Sequence, residues 1–242
     1  MLLCAALASG LAGSCQAGAL TDDFSDGNTK GWFASLPKAN YGTGNWRPED
    51  GLLKQDLAGD HYKLLLKDFF VSTQTAEVKM SFNGQDGYGG ITIWYKDANN
   101  WVDILAYPGY ARKGLQVIEK TSGSSKIYEY HCSYKKETWY RLRVDANGAN
   151  GKIKVYMDDV YLFTHDAETG QRAGLSGLNS GNSGGYFDDF KLTSSDVHGL
   201  VASGGKSECK KGGLRSWASR SFEKQSQCVS RIASFKKPGQ KI

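Results

Sequence analysis

The side chains best placed to meet a ligand are concentrated in residues 89–107, GGITIWYKDANNWVDILAY. Two β-prone runs flank a polar turn at 96–100. A period of two puts Ile91, Ile93 and Tyr95, with Val102, Ile104 and Ala106, on one side of this hairpin. The other side receives Trp94, Trp101 and Tyr107, with Thr92 and Asp103 among them. The aliphatic side suits a core, and the aromatic and polar side is predicted to stay open. Exposed rings can stack on the apolar C–H face of a pyranose while a few polar groups read its hydroxyls. Tyr110, Arg112 and Gln116 follow closely and extend the set. The expected carbohydrate contacts are therefore Trp94, Trp101, Asp103, Tyr107, Tyr110, Arg112 and Gln116. A one-residue change of register would exchange the two faces.

Catalysis has less support. Asp103 is the only carboxylate on its strand. Glu119 and Glu129 lie on neighbouring strands and can approach it, but nothing in the spacing requires that. A lyase needs a His or Tyr base beside a cation that neutralises a uronate. His131, Tyr130, Tyr107 and Arg112 supply the types without a motif, so no catalytic residue is assigned. The chain has only four His, scattered, and no C-x-x-C pair, which leaves no zinc-ligand spacing.

The elements that must position these groups read as strands. The 242 residues include 30 Gly but only 4 Pro, and 12% are aromatic, a composition suited to many strands and tight turns. Alternation recurs at 75–82 (Ala76, Val78, Met80 and Phe82 on one side), 138–144 and 152–157. Further strands are expected at 51–56, 62–67, 69–71, 114–120, 126–131, 160–163, 173–178 and 186–193. Residues 42–50 read as a turn-rich segment holding Trp46. Roughly a dozen strands at this spacing, with no sustained helical period, predict an all-β, two-sheet antiparallel sandwich.

The order of these elements resembles the concanavalin A-like, laminin-G-like jelly rolls of secreted bacterial proteins. The residues that carry the resemblance are Asp23-Phe24, Gly89 to Thr92, Asp97 to Trp101, Thr138 to Leu142, Lys152 to Asp159, Gly174 to Leu178 and Tyr186 to Phe190. The resemblance implies a jelly-roll sandwich over residues 20–193. It also implies pairing of the first and last strands, which would bring Asp22-Asp23 beside Asp188-Asp189. A structural calcium ion held by Asp23 and Asp188 is the corresponding expectation, because calcium takes several oxygen ligands and crowded carboxylates repel without a cation. Jelly-roll glucanases carry three carboxylates on one strand as E-x-D-x-x-E. That triplet is missing here.

Both ends differ from the middle. Residues 1–19 contain no charged side chain, and Ala17-Gly18-Ala19 fits a small-x-small cleavage site. This reads as a secretory signal cut after Ala19, although the usual basic start is missing. Lipid anchoring at Cys15 is a weaker alternative, since the aliphatic residue expected three positions earlier is lacking. Residues 194–205 read as a linker. From Lys206 onward ten Lys or Arg face two Glu, so residues 206–242 carry +8 and the rest of the chain −3 of the total +5. Cys209 and Cys228 form a natural disulfide pair in an oxidising compartment, leaving Cys132 as an inert thiol. The tail resembles a short two-cysteine motif at the C-termini of secreted actinobacterial proteins. It reads first as a solvated, disulfide-clipped end; an anionic cell-envelope polymer is the next reading, and nucleic acid, for which no binding motif is present, the last.

These readings converge on a secreted sandwich that binds an extracellular polysaccharide without cleaving it. The alternatives are a glycoside hydrolase or polysaccharide lyase acting near Asp103, and a cell-surface interaction protein without sugar affinity.

Overall fold

A computed structural model describes residues 18–35, 44–67, 69–82, 87–108, 114–132, 134–182 and 185–194. The strands among them are β1 (Gly18–Asp22), β2 (Trp32–Ser35), β3 (Trp46–Glu49), β4 (Leu52–Gln55) and β5 (Tyr62–Leu66). They continue as β6 (Gln74–Ser81), β7 (Tyr88–Asp97), β8 (Asn100–Tyr107), β9 (Gly114–Thr121) and β10 (Ser124–Tyr130). The last five are β11 (Tyr140–Asn147), β12 (Lys152–Met157), β13 (Val160–Asp166), β14 (Leu175–Gly181) and β15 (Gly185–Ser194). No helix among the described residues is long and apolar enough to cross a membrane.

The strands form two antiparallel sheets. An eight-stranded sheet runs β13-β12-β11-β6-β15-β4-β3, with β1 pairing on β15. A seven-stranded sheet runs β10-β9-β8-β7-β14-β5-β2. The first and last strands do pair, Asp22 standing opposite Phe190. Three local expectations change. β1 starts inside the segment read as a signal, and β3 occupies the segment read as turns. The run at 69–71 contributes only an isolated bridge between Val71 and Gly174. Residues 1–17 of the segment read as a signal, residues 195–205 of the one read as a linker, the basic tail with Cys209 and Cys228, and Tyr110 and Arg112 lie outside the described residues. Cys132 is a free, half-buried thiol.

Between the sheets lies one continuous core. It takes Ala76, Val78 and Met80 from β6, Ile91 and Ile93 from β7, Val102, Ile104 and Ala106 from β8, and Leu142 and Val144 from β11. Alternation in the sequence thus places the aliphatic side of the hairpin in the dry interior, as read. The two sheets then differ. β6, β11 and β12 alternate buried with partly exposed positions, so the eight-stranded sheet has one dry and one wet face. β5 is buried at every position, as are β8 after its first residue and β7 through Tyr95. The middle strands of the seven-stranded sheet are therefore buried on both sides, while β10 at its edge is largely exposed. The outer face of this sheet carries a second apolar cluster of Leu65, Tyr88, Tyr95, Trp101, Leu105, Tyr107 and Ile118.

Trp94 corrects the reading of the hairpin. Ile93 pairs with Val102, but the next pair is Asp97 with Asn100, so β7 carries extra residues there. This bulge sets Trp94 at φ 51 and turns its ring into the main core, with no exposed surface. Its indole N–H donates to the Ser72 carbonyl at 2.7 Å. Tyr95, expected with the aliphatics, moves to the outer face in exchange.

Candidate functional site

The outer face of the seven-stranded sheet holds a charged network in the middle of its apolar cluster. Lys63 and Asp103 are 1% and 0% exposed. The Lys63 ammonium lies 2.6 and 2.5 Å from the two Asp103 carboxylate oxygens. Thr92 Oγ1 donates to Oδ1 at 2.6 Å, and Asn179 Nδ2 donates to Oδ2 at 2.6 Å. These contacts fill the four lone-pair positions of the carboxylate. Asn179 Oδ1 itself accepts nothing and is a buried, unsatisfied acceptor.

Backbone register explains how distant residues meet. Lys63 on β5 faces Asn179 on β14, which faces Gly90 on β7, while Thr92 faces Asp103 on β8. Three interstrand spacings of about 4.8 Å separate β5 from β8. The two charged tips meet across β14 and β7. Gly90 and Gly177 put no side chain on the strands between them. A methyl group at either would strike a main-chain oxygen, that of Ile104 at Gly90 and that of Leu64 at Gly177.

Aromatic rings wall the network. The Lys63 ammonium sits 3.9 Å from the Trp101 ring centroid, a desolvated cation–π contact. Tyr88 stacks on Tyr107 at 4.7 Å. His61 bridges the two groups, its ring 5.7 Å from Tyr88 and 5.8 Å from Trp101, with Nδ1 3.6 Å from Asp103 Oδ2. Its side chain is 30% exposed, so the network meets solvent there. His61 also holds φ 56, a sparsely populated conformation for a side-chain-bearing residue, fixed by its N–H donating to Tyr88 Oη at 2.7 Å.

Charge states follow from burial and pairing. Burial pushes the Lys63 amine down to about 8, with Asp103 opposing it, so it is cationic at neutral pH. Burial alone would raise the Asp103 carboxyl, but Lys63 and His61 hold it below its usual range. Burial raises the Tyr88 and Tyr107 phenols well above theirs. This site is an ionised but neutral-sum polar core inside an apolar surround.

The structure brings together Trp101, Asp103 and Tyr107, as expected, but not as an open platform. Trp101 and Tyr107 are 5% and 7% exposed, Trp101 packing on Lys63 and His61 and Tyr107 stacking on Tyr88. Gln116 is buried nearby, donating to Glu129 at 2.8 Å. Glu119 does not approach Asp103. It points to the other side of the sheet, where it meets His165 at 2.7 Å and accepts the Thr169 and Glu168 N–H groups. Tyr130 joins that second group through His165 Nδ1 at 3.0 Å, apart from Tyr107. On β8 the same-face neighbours of Asp103 are Trp101 and Leu105, so the strand offers no second carboxylate.

Lys63, Asn179, His61 and Tyr88 escaped the sequence reading. The available signal was a lysine inside the apolar run Tyr62–Leu66, where an alternating strand would leave it solvated. At the acidic end, Asp22 accepts from Trp32 Nε1 at 2.6 Å, Asp23 from Ser25, and Asp189 pairs with Lys79 at 2.5 Å. Burial raises the Asp188 carboxyl, with Asp189 and Asp23 adding to it. No group of three or more His, Cys, Asp or Glu among the described residues is arranged to hold a metal.

Fold and face together define a two-sheet jelly-roll β-sandwich with a buried ionic network on one outer face. No protein-family model matches the chain, and no curated protein matches it. Solved structures share the fold. A carbohydrate-binding module, CBM66, from Bacillus subtilis superposes with a TM-score of 0.57 at 18% identity, over 68% of this chain and 96% of that one. A β-1,3-1,4-glucanase (lichenase) derived from a mouse hindgut metagenome gives 0.56 at 12% identity, over 74% and 99%. A GH43 protein, BlXynB, from Bacillus licheniformis gives 0.55 at 17% identity over 72% of this chain. There the match spans only 39% of its length.

Proposed function

We propose that this protein is a secreted, non-catalytic carbohydrate-binding sandwich whose ligand meets the outer face of the seven-stranded sheet beside His61 and Trp101. The single observation that carries this reading is the state of Asp103. Glycoside hydrolysis by the usual route uses two carboxylates about 5–9.5 Å apart, one of them free to act as nucleophile or base. Asp103 has all four lone-pair positions occupied and no carboxylate beside it on its strand, and the other two carboxylates that bear on Tyr107, Asp60 and Glu129, accept from Tyr88 and Gln116. Binding asks only for rings, donors and acceptors. Trp101 and Tyr88 flank His61, and Asn179 Oδ1 is an acceptor that a ligand hydroxyl would satisfy. The shared fold with a carbohydrate-binding module supports the reading, and the lichenase likeness supports the fold equally.

The test is affinity electrophoresis and reducing-sugar assay over one panel of soluble polysaccharides. Retarded migration without sugar release, weakened by Trp101→Ala, supports binding. Sugar release that disappears in Asp103→Asn overturns it in favour of a hydrolase. No retardation by any glycan leaves an interaction protein without sugar affinity. Two further expectations stand as proposals. A calcium ion between Asp23 and Asp188 is supported by the raised Asp188 carboxyl, to which burial and then Asp189 and Asp23 contribute, and a Tm rise when calcium is added to chelator-treated protein tests it. An anionic envelope polymer on the basic tail is tested by co-sedimentation of the full chain with cell-wall preparations, compared with a chain ending at Ser194.

A further inference from the structure

The eight-stranded sheet carries its own exposed ring. Trp139, just before β11, is 43% exposed, while the three rings expected to be open on the central hairpin are all buried. An isolated exposed apolar side chain is ordinary. This one stands over a cleft of about 250 Å³ lined also by Lys79, Tyr140, Arg141, Asp158 and Asp159.

The cleft is held in shape by its backbone. Asp158 and Asp159 form the β12–β13 turn with φ of 50 and 65, both left-handed. The Asp158 carboxylate accepts the Arg141 N–H at 2.8 Å, and the Asp158 N–H donates to the Arg141 carbonyl at 2.9 Å. That double clamp fixes the turn against β11 and fixes Asp159 beside the guanidinium, 3.4 Å away. Arg141 also faces Glu77 at 3.7 Å, and Lys79 pairs with Asp189 at 2.5 Å.

The charges balance. Two cations and two anions line the cleft, and both cations already have partners. A polyanion would find both cations already paired, while Asp159 pairs with Arg141 and the Asp158 carboxylate is engaged by the Arg141 N–H. What is on offer is an indole face beside fixed donors and acceptors of both kinds, which is the chemistry that reads a neutral pyranose. We propose that the Trp139 cleft is a second saccharide contact, for a neutral glycan residue, on the sheet opposite the Lys63–Asp103 face. It rests on the carbohydrate reading above and adds a separate location. Two contacts on opposite faces would let one molecule engage two chains of a polysaccharide or two segments of one.

The experiment uses the full chain and affinity electrophoresis in soluble neutral polysaccharides (hydroxyethylcellulose and a β-1,3-1,4-glucan), with polygalacturonate as the polyanion. The variants are Trp139→Ala, checked for an unchanged thermal midpoint, and Trp101→Ala, which loses a buried ring and is assayed below its own lowered midpoint with circular dichroism confirming the fold. Trp139→Ala is expected to weaken retention by neutral polysaccharide about tenfold. If Trp139→Ala is retained like the parent while Trp101→Ala is not, this inference falls and the earlier reading stands. If only Trp139→Ala loses retention, the cleft stands and the hairpin face does not. Retention by polygalacturonate alone overturns the neutral assignment. A parent chain retained by nothing sinks both.

Discussion

The two sheets use charge in opposite ways. On the outer face of the eight-stranded sheet, Lys79–Asp189, Arg141–Glu77 and Arg143–Asp145 lie among half-exposed side chains. On the outer face of the seven-stranded sheet, Lys63–Asp103 is closed off from water. The exposed pairs gain little, because water and salt screen them and two long side chains must be ordered. The buried pair instead carries a large desolvation cost, offset only by its complete set of hydrogen bonds. A face that accepts such a cost in an otherwise apolar surround is the part of this molecule where stability alone does not explain the residues.

The largest expected effect breaks that contrast at its centre. Asp103→Ala leaves the Lys63 ammonium buried without its partner and should lower unfolding free energy by about 3–5 kcal/mol. Replacing both partners at once, Lys63→Met with Asp103→Leu, should recover most of it. Urea unfolding of the parent and the two variants measures this. A single variant as damaging as the double would mean that the pair is not the unit.

Next comes the spacing between the charges. Gly177→Ala sets a methyl group against the Leu64 main-chain oxygen. The strand must shift, at a cost of about 1–3 kcal/mol. Gly51→Ala, with open space around it but φ 76, is the control for backbone strain alone. Equal losses at both would deny the close approach.

The sequence displayed the fold more fully than the site, for a physical reason. Alternation in 75–82, 89–93 and 102–106 reports which side of a strand is dry, and the core follows it. It cannot report a face that is covered on both sides, since Leu65 and Trp101 then read the same whether a ligand or a core lies above them. Trp94 was misplaced because a bulge breaks the period of two, and no residue type announces that bulge. Lys63 was legible in principle, as a charge inside a strand with no polar alternation. Its partner Asp103 reads in the sequence as a carbohydrate contact or a lone catalytic carboxylate, not as half of an ion pair. Their meeting depends on β14 and β7 lying between β5 and β8, which is topology and not pattern.

Acid sharpens the comparison further. Asp103 and Glu119 both sit below their ordinary values, 3.8 and 4.5, as do the exposed Glu49 and Asp166. A carboxylate with a depressed folded pKa adds stability above its ordinary value and loses it as pH falls through the folded value. Stability should therefore decline below about pH 4.5, and more steeply below 3.8. Salt separates the two faces: 1 M NaCl shortens the screening length to about 3 Å, erasing the exposed contributions and sparing Asp103. Thermal midpoints from pH 2 to 7 at low and high salt measure this. A salt-resistant acid limb that persists in Asp103→Asn and Glu119→Gln would show that neither buried group is its source.

The smallest effect belongs to the wet face, and it is informative because it is small. Lys79→Ala removes the partner of Asp189, whose carboxylate stays 49% exposed and is solvated at once. The expected loss is far smaller than that of Asp103→Ala and should vanish in 1 M salt. The same substitution also removes one wall of the Trp139 cleft, so stability and glycan retention should come apart. A near-silent thermal midpoint with weakened retention would place the role of Lys79 in the cleft. A loss approaching that of Asp103→Ala would mean that charge on the eight-stranded sheet is as structural as charge on the seven-stranded one, and the contrast between the faces would disappear.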